Sequence, residues 1–187
     1  MDSTILKPPF YWENVKFCNT GLVLNYHDEA RTFHLIRFNS TISGEGLKVA
    51  HGKIPKGWPV LRYTGPILNN ERMHTKWKRS TAGTKSPRVE FFYLDENRTI
   101  DGSLALASYV NHSCEPNLRV HTDPVRGAVA FYSFREVETG EELTIDYSLG
   151  GGGVMYPCLC KTASCRGFMN CPHEVQAHLT AERYPAK

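Results

Sequence analysis

Apolar and aromatic residues occur along this chain in short runs, at positions 33–38, 60–63, 89–94, 127–134 and 143–145. Each run is rich in β-branched or aromatic residues and is bounded by Gly, Pro or Asn, the pattern of short strands and not of long amphipathic helices. Between the second and third runs lies NNERMHTKWKRSTAGTKSP, residues 69–87. Its first part reads as a polar helix and its Gly, Ser and Pro end as an exposed loop, so the segment is an expected insert. Val125-Arg126 before Gly127, and Glu138-Thr139-Gly140 before Glu141, are expected turns between neighbouring strands. Helix is a minority. Residues 104–109 allow a turn or two, and residues 172–182, with Pro172 early, suit a short terminal helix. Gly150 to Gly153 form a flexible joint. The expected class is mainly β (α+β), built from several small sheets.

With 187 residues and 41% hydrophobic content, the chain can bury one good core and needs no second large domain. Its 22 basic and 19 acidic residues leave a formal charge of +3. The basic residues are scattered, which argues against direct nucleic-acid binding. No run approaches the ~20 apolar residues of a membrane span, and the first residues, MDSTILKPPFYWE, carry no basic segment leading into an apolar one. A soluble intracellular protein is expected, in nucleus or cytoplasm.

The six cysteines admit two readings. Three disulfides are one; the other is a metal, because Cys114, Cys158, Cys160 and Cys165 fall in the second half, with Cys158 and Cys160 only one residue apart. Such close spacing is poor for a mutual disulfide, and in a reducing compartment clustered thiolates usually bind zinc. Cys18 and Cys171 stand outside the cluster.

The densest chemistry is Asn111-His112-Ser113-Cys114-Glu115-Pro116-Asn117, which resists both helix and strand. Taken alone it is a tight turn with a buried Cys. Downstream follow Gly140-Glu141-Glu142-Leu143-Thr144-Ile145-Asp146-Tyr147 and then Cys158-Leu-Cys160-Lys-Thr-Ala-Ser-Cys165-Arg-Gly167. The three blocks together, in this order, resemble the SET-domain protein-lysine methyltransferases with a post-SET tail of pattern Cys-x-Cys-x4-Cys-x-Gly. Upstream, Ser43-Gly44-Glu45-Gly46-Leu47, Ile54-Pro55-Lys56-Gly57 and Tyr63-Thr64-Gly65 are similar to the family's first half. The cysteine-rich pre-SET block is absent.

This resemblance implies a SET-type fold with a knot-like C-terminal segment, a zinc-bound post-SET tail and a short terminal helix. It divides the chain into an N-terminal extension (1–32), a SET domain (33–149) with its insert near 69–87, a glycine joint and zinc segment (150–170), and a tail (171–187) with helical character. It implies S-adenosylmethionine-dependent methylation of lysine on a protein, a histone tail being the favoured substrate. Gly44, Glu45, Gly46 and Leu47, with Asn111 and His112, would hold the cofactor. Tyr147 would align lysine nitrogen and methyl group, Tyr63 would share that catalytic channel, and Tyr109 and Ile145 would line it. Cys114, Cys158, Cys160 and Cys165 would supply the four thiolates of one structural zinc, the other reading being free thiols in a mobile tail.

Departures from the family pattern fall at Ser108, in place of its Arg, and at Pro66, in place of its Glu. Ile145 stands where the family often has Phe or Tyr, and Ile leaves room for multiple methylation. A competing reading is a SET-fold binding module, or a pocket turned to a small molecule, without lysine methyl transfer. Glu136, Glu138, Glu141, Glu142 and Asp146 are expected near the channel, and two readings stand for them: an acidic field that attracts lysine-rich peptides, or a solvated acidic turn.

Overall fold

A computed structural model of the chain describes residues 33–81, 90–149 and 156–170. The expected N-terminal extension, glycine joint and terminal helix, with Cys18 and Cys171, lie outside the described residues.

Strands β1 (His34–Asn39) and β2 (Glu45–His51) form an antiparallel hairpin in which Leu35 faces Val49 and Arg37 faces Leu47. The turn between them closes with a Ser40 N–H to Gly44 O bond of 2.7 Å, and Gly44 has φ +49°, a left-handed conformation that glycine adopts without penalty. A second sheet has the order β3-β9-β8, from β3 (Pro59–Tyr63), β8 (Leu118–Asp123) and β9 (Ala128–Ser133). A third, β4-β6-β5, joins β4 (Ile67–Asn69), β5 (Phe91–Tyr93) and β6 (Arg98–Asp101). Finally β7 (Asn111–His112) pairs in parallel with β10 (Thr144–Ile145). All other pairings between these strands are antiparallel.

The expected strand runs are present, trimmed at their ends, but β2, β4, β6, β7 and β8 were not expected, and β7 falls in the 111–117 block read as resisting strand. β6 is Arg-Thr-Ile-Asp and β8 is Leu-Arg-Val-His-Thr-Asp, so neither shows a continuous apolar run. β8 lies at a sheet edge and buries only Leu118, with Arg119 and His121 exposed on the other face.

Leu35, Leu47, Val49, Ile54, Val60, Ile100, Leu118, Val129, Phe131, Val137 and Leu143 form one core drawn from three sheets and the segments between them. Each fully buried side chain of this size contributes roughly 1.5–3 kcal/mol. Isolated bridges from Lys48 to Glu142 and from Ile54 to Val137 tie the C-terminal half onto the first hairpin and the segment after it.

The insert begins with the expected helix, α1 (Asn70–Thr81). Asn69 caps it, its Oδ1 accepting the Arg72 N–H at 3.0 Å, while Glu71 in the first turn and Lys78 and Arg79 in the last complement the helix dipole. Met73 is buried, Lys76 and Trp77 are half-buried, and Trp77 meets the ring of Phe91 edge-on at 6.0 Å. These positions, three and four residues apart, form the docking face. A short 3-10 turn, Leu106–Tyr109, packs against β3 and leads directly into β7.

Candidate active site

The parallel pairing of Thr144 with Asn111 and of Ile145 with His112 brings the two densest motifs side by side. Asn117 staples them: its Oδ1 accepts the Thr144 N–H at 2.9 Å and its Nδ2 donates to the Glu142 carbonyl at 2.7 Å. The Ser113 N–H adds a bond to Ile145 O at 3.0 Å. Asn117 is buried, so these bonds also satisfy polar groups that would be costly to leave alone.

Tyr147 follows two residues later. Its backbone N–H donates to Nδ1 of His112 at 3.1 Å, its ring meets the His112 ring edge-on at 5.5 Å, and its hydroxyl donates to the Val110 carbonyl at 3.0 Å. The phenol is thus aimed at the backbone immediately before Asn111. His112 is buried, and burial, against the pull of the Asp146 carboxylate and helped by the Arg166 guanidinium, draws its pKa down to about 4. The imidazole is neutral at physiological pH.

Next to Asn111 lies the β1–β2 turn. The Asn111 Nδ2 donates to Oε1 of Glu142 at 2.8 Å and, at a longer 3.3 Å, to Glu45 O. The Ser40 hydroxyl lies 2.8 Å from both Glu142 carboxylate oxygens. Gly46 sits inside this network: a Cβ there would fall 2.5 Å from Glu142 Oε1, 3.0 Å from Asn111 Nδ2 and 3.1 Å from Ser40 Cβ. Gly44, Glu45, Gly46 and Asn111 therefore converge, and Leu47 contributes only backbone, since its side chain is fully buried in the core. Ser40 and Glu142 were missed as members of this cluster; Ser40 has no motif around it.

Tyr63 is buried against Phe92 and Phe131, with ring centroids at 5.4 and 6.1 Å. It belongs, with Ile145, to the cluster against which Tyr109 and Tyr147 both pack. The glycine two residues after Tyr63 has a steric reason, because a Cβ on Gly65 would lie 1.7 Å from the Asp101 carbonyl oxygen. Tyr109 is half-buried, and its hydroxyl accepts a bond from Arg37 Nη1 at 2.9 Å. Ser108 is buried with its hydroxyl donating to Ala105 O at 2.8 Å, a local turn bond.

The expected acidic field is not free charge. Glu136 pairs with Lys53 at 3.0 Å, Glu141 binds Arg135 through both carboxylate oxygens, Glu142 is held by Ser40 and Asn111, and Asp146 binds Arg166 at 2.8 Å. Lys53, Arg135 and Arg166 thus offset the charges of Glu136, Glu141 and Asp146, whereas Glu142 is held by uncharged partners.

Cys114, Cys158, Cys160 and Cys165 come together with all four sulfurs within 4.8 Å of one another. Cys114 and Cys158 are 3.7 Å apart and all four are free thiols, which removes the disulfide reading for this cluster. A tetrahedral site with Zn–S bonds of ~2.3 Å has sulfur–sulfur edges of about 3.8 Å. Burial pushes the Cys114 and Cys158 thiols up, while Cys160, which burial also disfavours, comes down to about 6 through the Cys114 backbone N–H and the Thr162 hydroxyl. The backbone N–H groups of Arg166 and Gly167 point at Sγ of Cys114 and Cys165, at 3.3 and 3.4 Å. Donors of this kind stabilise metal-bound thiolates. The cluster can hold a metal. A Pro157–Phe168 bridge and a Cys158 N–H to Gly167 O bond close the tail on itself.

Residues 45–148 match the SET domain family. The chain is 30% identical over 179 residues to a histone-lysine N-methyltransferase, H3 lysine-4 specific, of Chaetomium globosum, a match covering 81% of this chain and 16% of that protein. Among solved structures, the methyltransferase domain of human histone-lysine N-methyltransferase SETMAR superposes with a TM-score of 0.61 at 27% identity, over 74% of this chain and 58% of that one. KRYPTONITE in complex with mCHG DNA and SAH gives 0.60 at 26% identity, over 74% and 29%. No helix among the described residues is long and apolar enough to cross a membrane.

Proposed function

The chain belongs to the SET-domain family, and on that premise we propose that it is an S-adenosylmethionine-dependent protein-lysine methyltransferase, with histone tails as the favoured substrate and an intracellular place of action. The observation that carries the reading is Tyr147, whose hydroxyl is held on the Val110 carbonyl one residue before the Asn111-His112 pair. In this proposal residues 33–149 form the SET domain, with its insert at 69–87, and residues 150–170 form the joint and metal-binding tail.

The residues present fit the cofactor. The absence of a side chain at Gly46 lets Glu142 and Asn111 pack directly against the β1–β2 turn, and Asn111 offers an amide already oriented by Glu142. S-adenosylmethionine, when bound, supplies a methyl group on a cationic sulfur. Gly44 through Leu47 would hold its amino-acid end through backbone groups, with Asn111 and the His112 backbone beside it. Tyr147 acts on the other reactant. Its oxygen can accept from a neutral lysine amine and fix the nitrogen lone pair on the line of attack, while Val110 O accepts the phenol proton and keeps the ring from turning. Tyr63, Tyr109 and Ile145 would form walls that exclude water from the approach. As nitrogen gains the methyl group it must release one proton, finally to water.

The four cysteines fit a single zinc by donor set and spacing, and that metal would supply structure, fixing the tail beside Tyr147.

The test is transfer of labelled methyl groups to mixed core histones, together with calorimetric binding of the demethylated cofactor. Tyr147→Phe is expected to lower kcat by about 100-fold, ~2.7 kcal/mol, with cofactor affinity retained. Cofactor binding without any transfer to histones or to a lysine peptide array, or transfer indifferent to Tyr147→Phe, would overturn the assignment. Absence of cofactor binding would favour the binding-module alternative.

A further inference from the structure

We propose that the His112 side chain is a positioning residue that transmits metal occupancy of the four-cysteine centre to Tyr147. The inference rests on the reading of Tyr147 as the residue that aligns the lysine amine. The imidazole lies between the two sites. On one edge, Nδ1 is 3.1 Å from the Tyr147 backbone nitrogen; on the other, Nε2 is 3.4 Å from Sγ of Cys114.

A backbone N–H can only donate, so Nδ1 must present its lone pair and the ring proton must sit on Nε2. The Asp146 carboxylate does not compete for Nδ1, since at 3.6 Å it lies beyond hydrogen-bond range and is taken by Arg166 Nη2 at 2.8 Å. One neutral tautomer remains, with Nε2–H directed at the Cys114 sulfur. That sulfur already accepts the Arg166 N–H at 3.3 Å, and two donors suit a metal-bound thiolate far better than a neutral thiol, whose sulfur is a weak acceptor.

The consequence is a chain of contacts with one geometry. A charged, metal-held Cys114 sulfur fixes the imidazole through Nε2–H. The imidazole then fixes the Tyr147 backbone through Nδ1 and its ring through the edge-on contact at 5.5 Å, and the hydroxyl stays on Val110 O. His112 is buried, so no water can take over either bond.

Selective 15N-tyrosine labelling of the zinc-loaded chain reads this directly, because exchanging zinc for cadmium alters the charge on the Cys114 sulfur without changing the sequence. The Tyr147 amide resonance is expected to move on exchange in the wild type. It is expected to stay still in His112→Asn, which keeps an acceptor near Nδ1 and lacks the reach to Cys114. His112→Gln, with the opposite loss, is expected to lower kcat at least about 10-fold at unchanged zinc content, with KM for the peptide within about twofold. A Tyr147 amide indifferent to the metal in the wild type overturns the relay, as does a wild-type kcat in zinc-loaded His112→Gln. If the amide responds but no lysine substrate is ever methylated, the relay stands and the proposed activity falls.

Discussion

Gly102 lies flat against the ring of Tyr63, so that a Cβ at residue 102 would fall 2.2 Å from Cε1 and 2.5 Å from the hydroxyl oxygen. The tyrosine has nowhere to retreat, because it is buried between Phe92 and Phe131. Gly102→Ala should therefore cost about 1–3 kcal/mol of overpacking and displace the ring. The expected kinetic signature is a fall in kcat/KM for a lysine peptide of about 10-fold, with affinity for the demethylated cofactor preserved, since the Asn111 and Glu142 network is separate. Steady-state kinetics and calorimetry on the same preparation check both halves; unchanged kinetics would remove Tyr63 from the channel.

Asp101, the residue before Gly102, is braced from the insert. Lys76 of α1 forms an ion pair with its carboxylate and also donates to Ser103 Oγ at 2.8 Å. Burial alone would raise the Asp101 pKa, but the Lys76 and Ser103 bonds outweigh it and leave the value below 3.8. A carboxylate depressed in the folded state stabilises the fold at pH values above its unfolded pKa, and that contribution is lost as pH falls through the folded value. Lys76 is partly exposed, so the pair is worth less than a fully buried one. Lys76→Met, which keeps an apolar stem near Phe91, should lose about 1–2 kcal/mol at pH 7. The deficit should start to shrink as pH falls below about 3.8 and close only below the lowered folded value, where the carboxyl is neutral in both proteins. Urea midpoints measured from pH 3 to 7 give the test, and a pH-independent difference would mean packing and not charge.

Much of this site is legible in the sequence because its residues are held by backbone conformation and local order. Gly44 and Gly46 announce a close approach, and Asn117 lies within the same seven residues as Asn111. The cysteine spacing also predicts the cluster, since three of its members sit in eight consecutive residues, 158–165. What is not legible comes from long-range pairing between ordinary residues. Ser40 and Glu142 are separated by 102 positions and Lys76 and Asp101 by 25, and neither pair has a signature of spacing. The partners of the acidic residues at 136–146, among them Lys53, Ser40 and Arg166, are not legible for the same reason, because they are placed only by the fold. β8 escapes because an edge strand need not carry an apolar run, and β6 because two of its three buried residues, Thr99 and Asp101, are polar.

The Glu142 carboxylate orients Asn111 and should govern cofactor affinity more than turnover. Glu142→Gln removes the charged acceptor of the Asn111 Nδ2 bond and weakens the Ser40 contact. Loss of one charge-assisted bond predicts about 10-fold weaker cofactor binding, ~1.4 kcal/mol. Gly46→Ala should be worse, since its methyl group collides with the same carboxylate and with the amide. Calorimetric titration of both variants with the demethylated cofactor decides the matter, and an affinity within twofold of wild type for both would place the cofactor elsewhere.

Ile145 is expected to set how many methyl groups the channel accepts. It is buried, pairs across β10 and β7 with His112, and lies one residue from Asp146 and two from Tyr147. An aliphatic side chain cannot hydrogen-bond the amine or a space-filling water, so a lysine that already carries a methyl group can turn and present its lone pair again. Mass spectrometry of a peptide substrate should show dimethyl or trimethyl product from the wild type at long incubation. Ile145→Tyr adds bulk and a hydroxyl at that point, so it should halt at monomethyl-lysine, with a stability loss of about 1–3 kcal/mol from overpacking. A wild-type enzyme that stops after one methyl group, or a tyrosine variant with an unchanged product ladder, would assign control of the ladder to another wall of the channel.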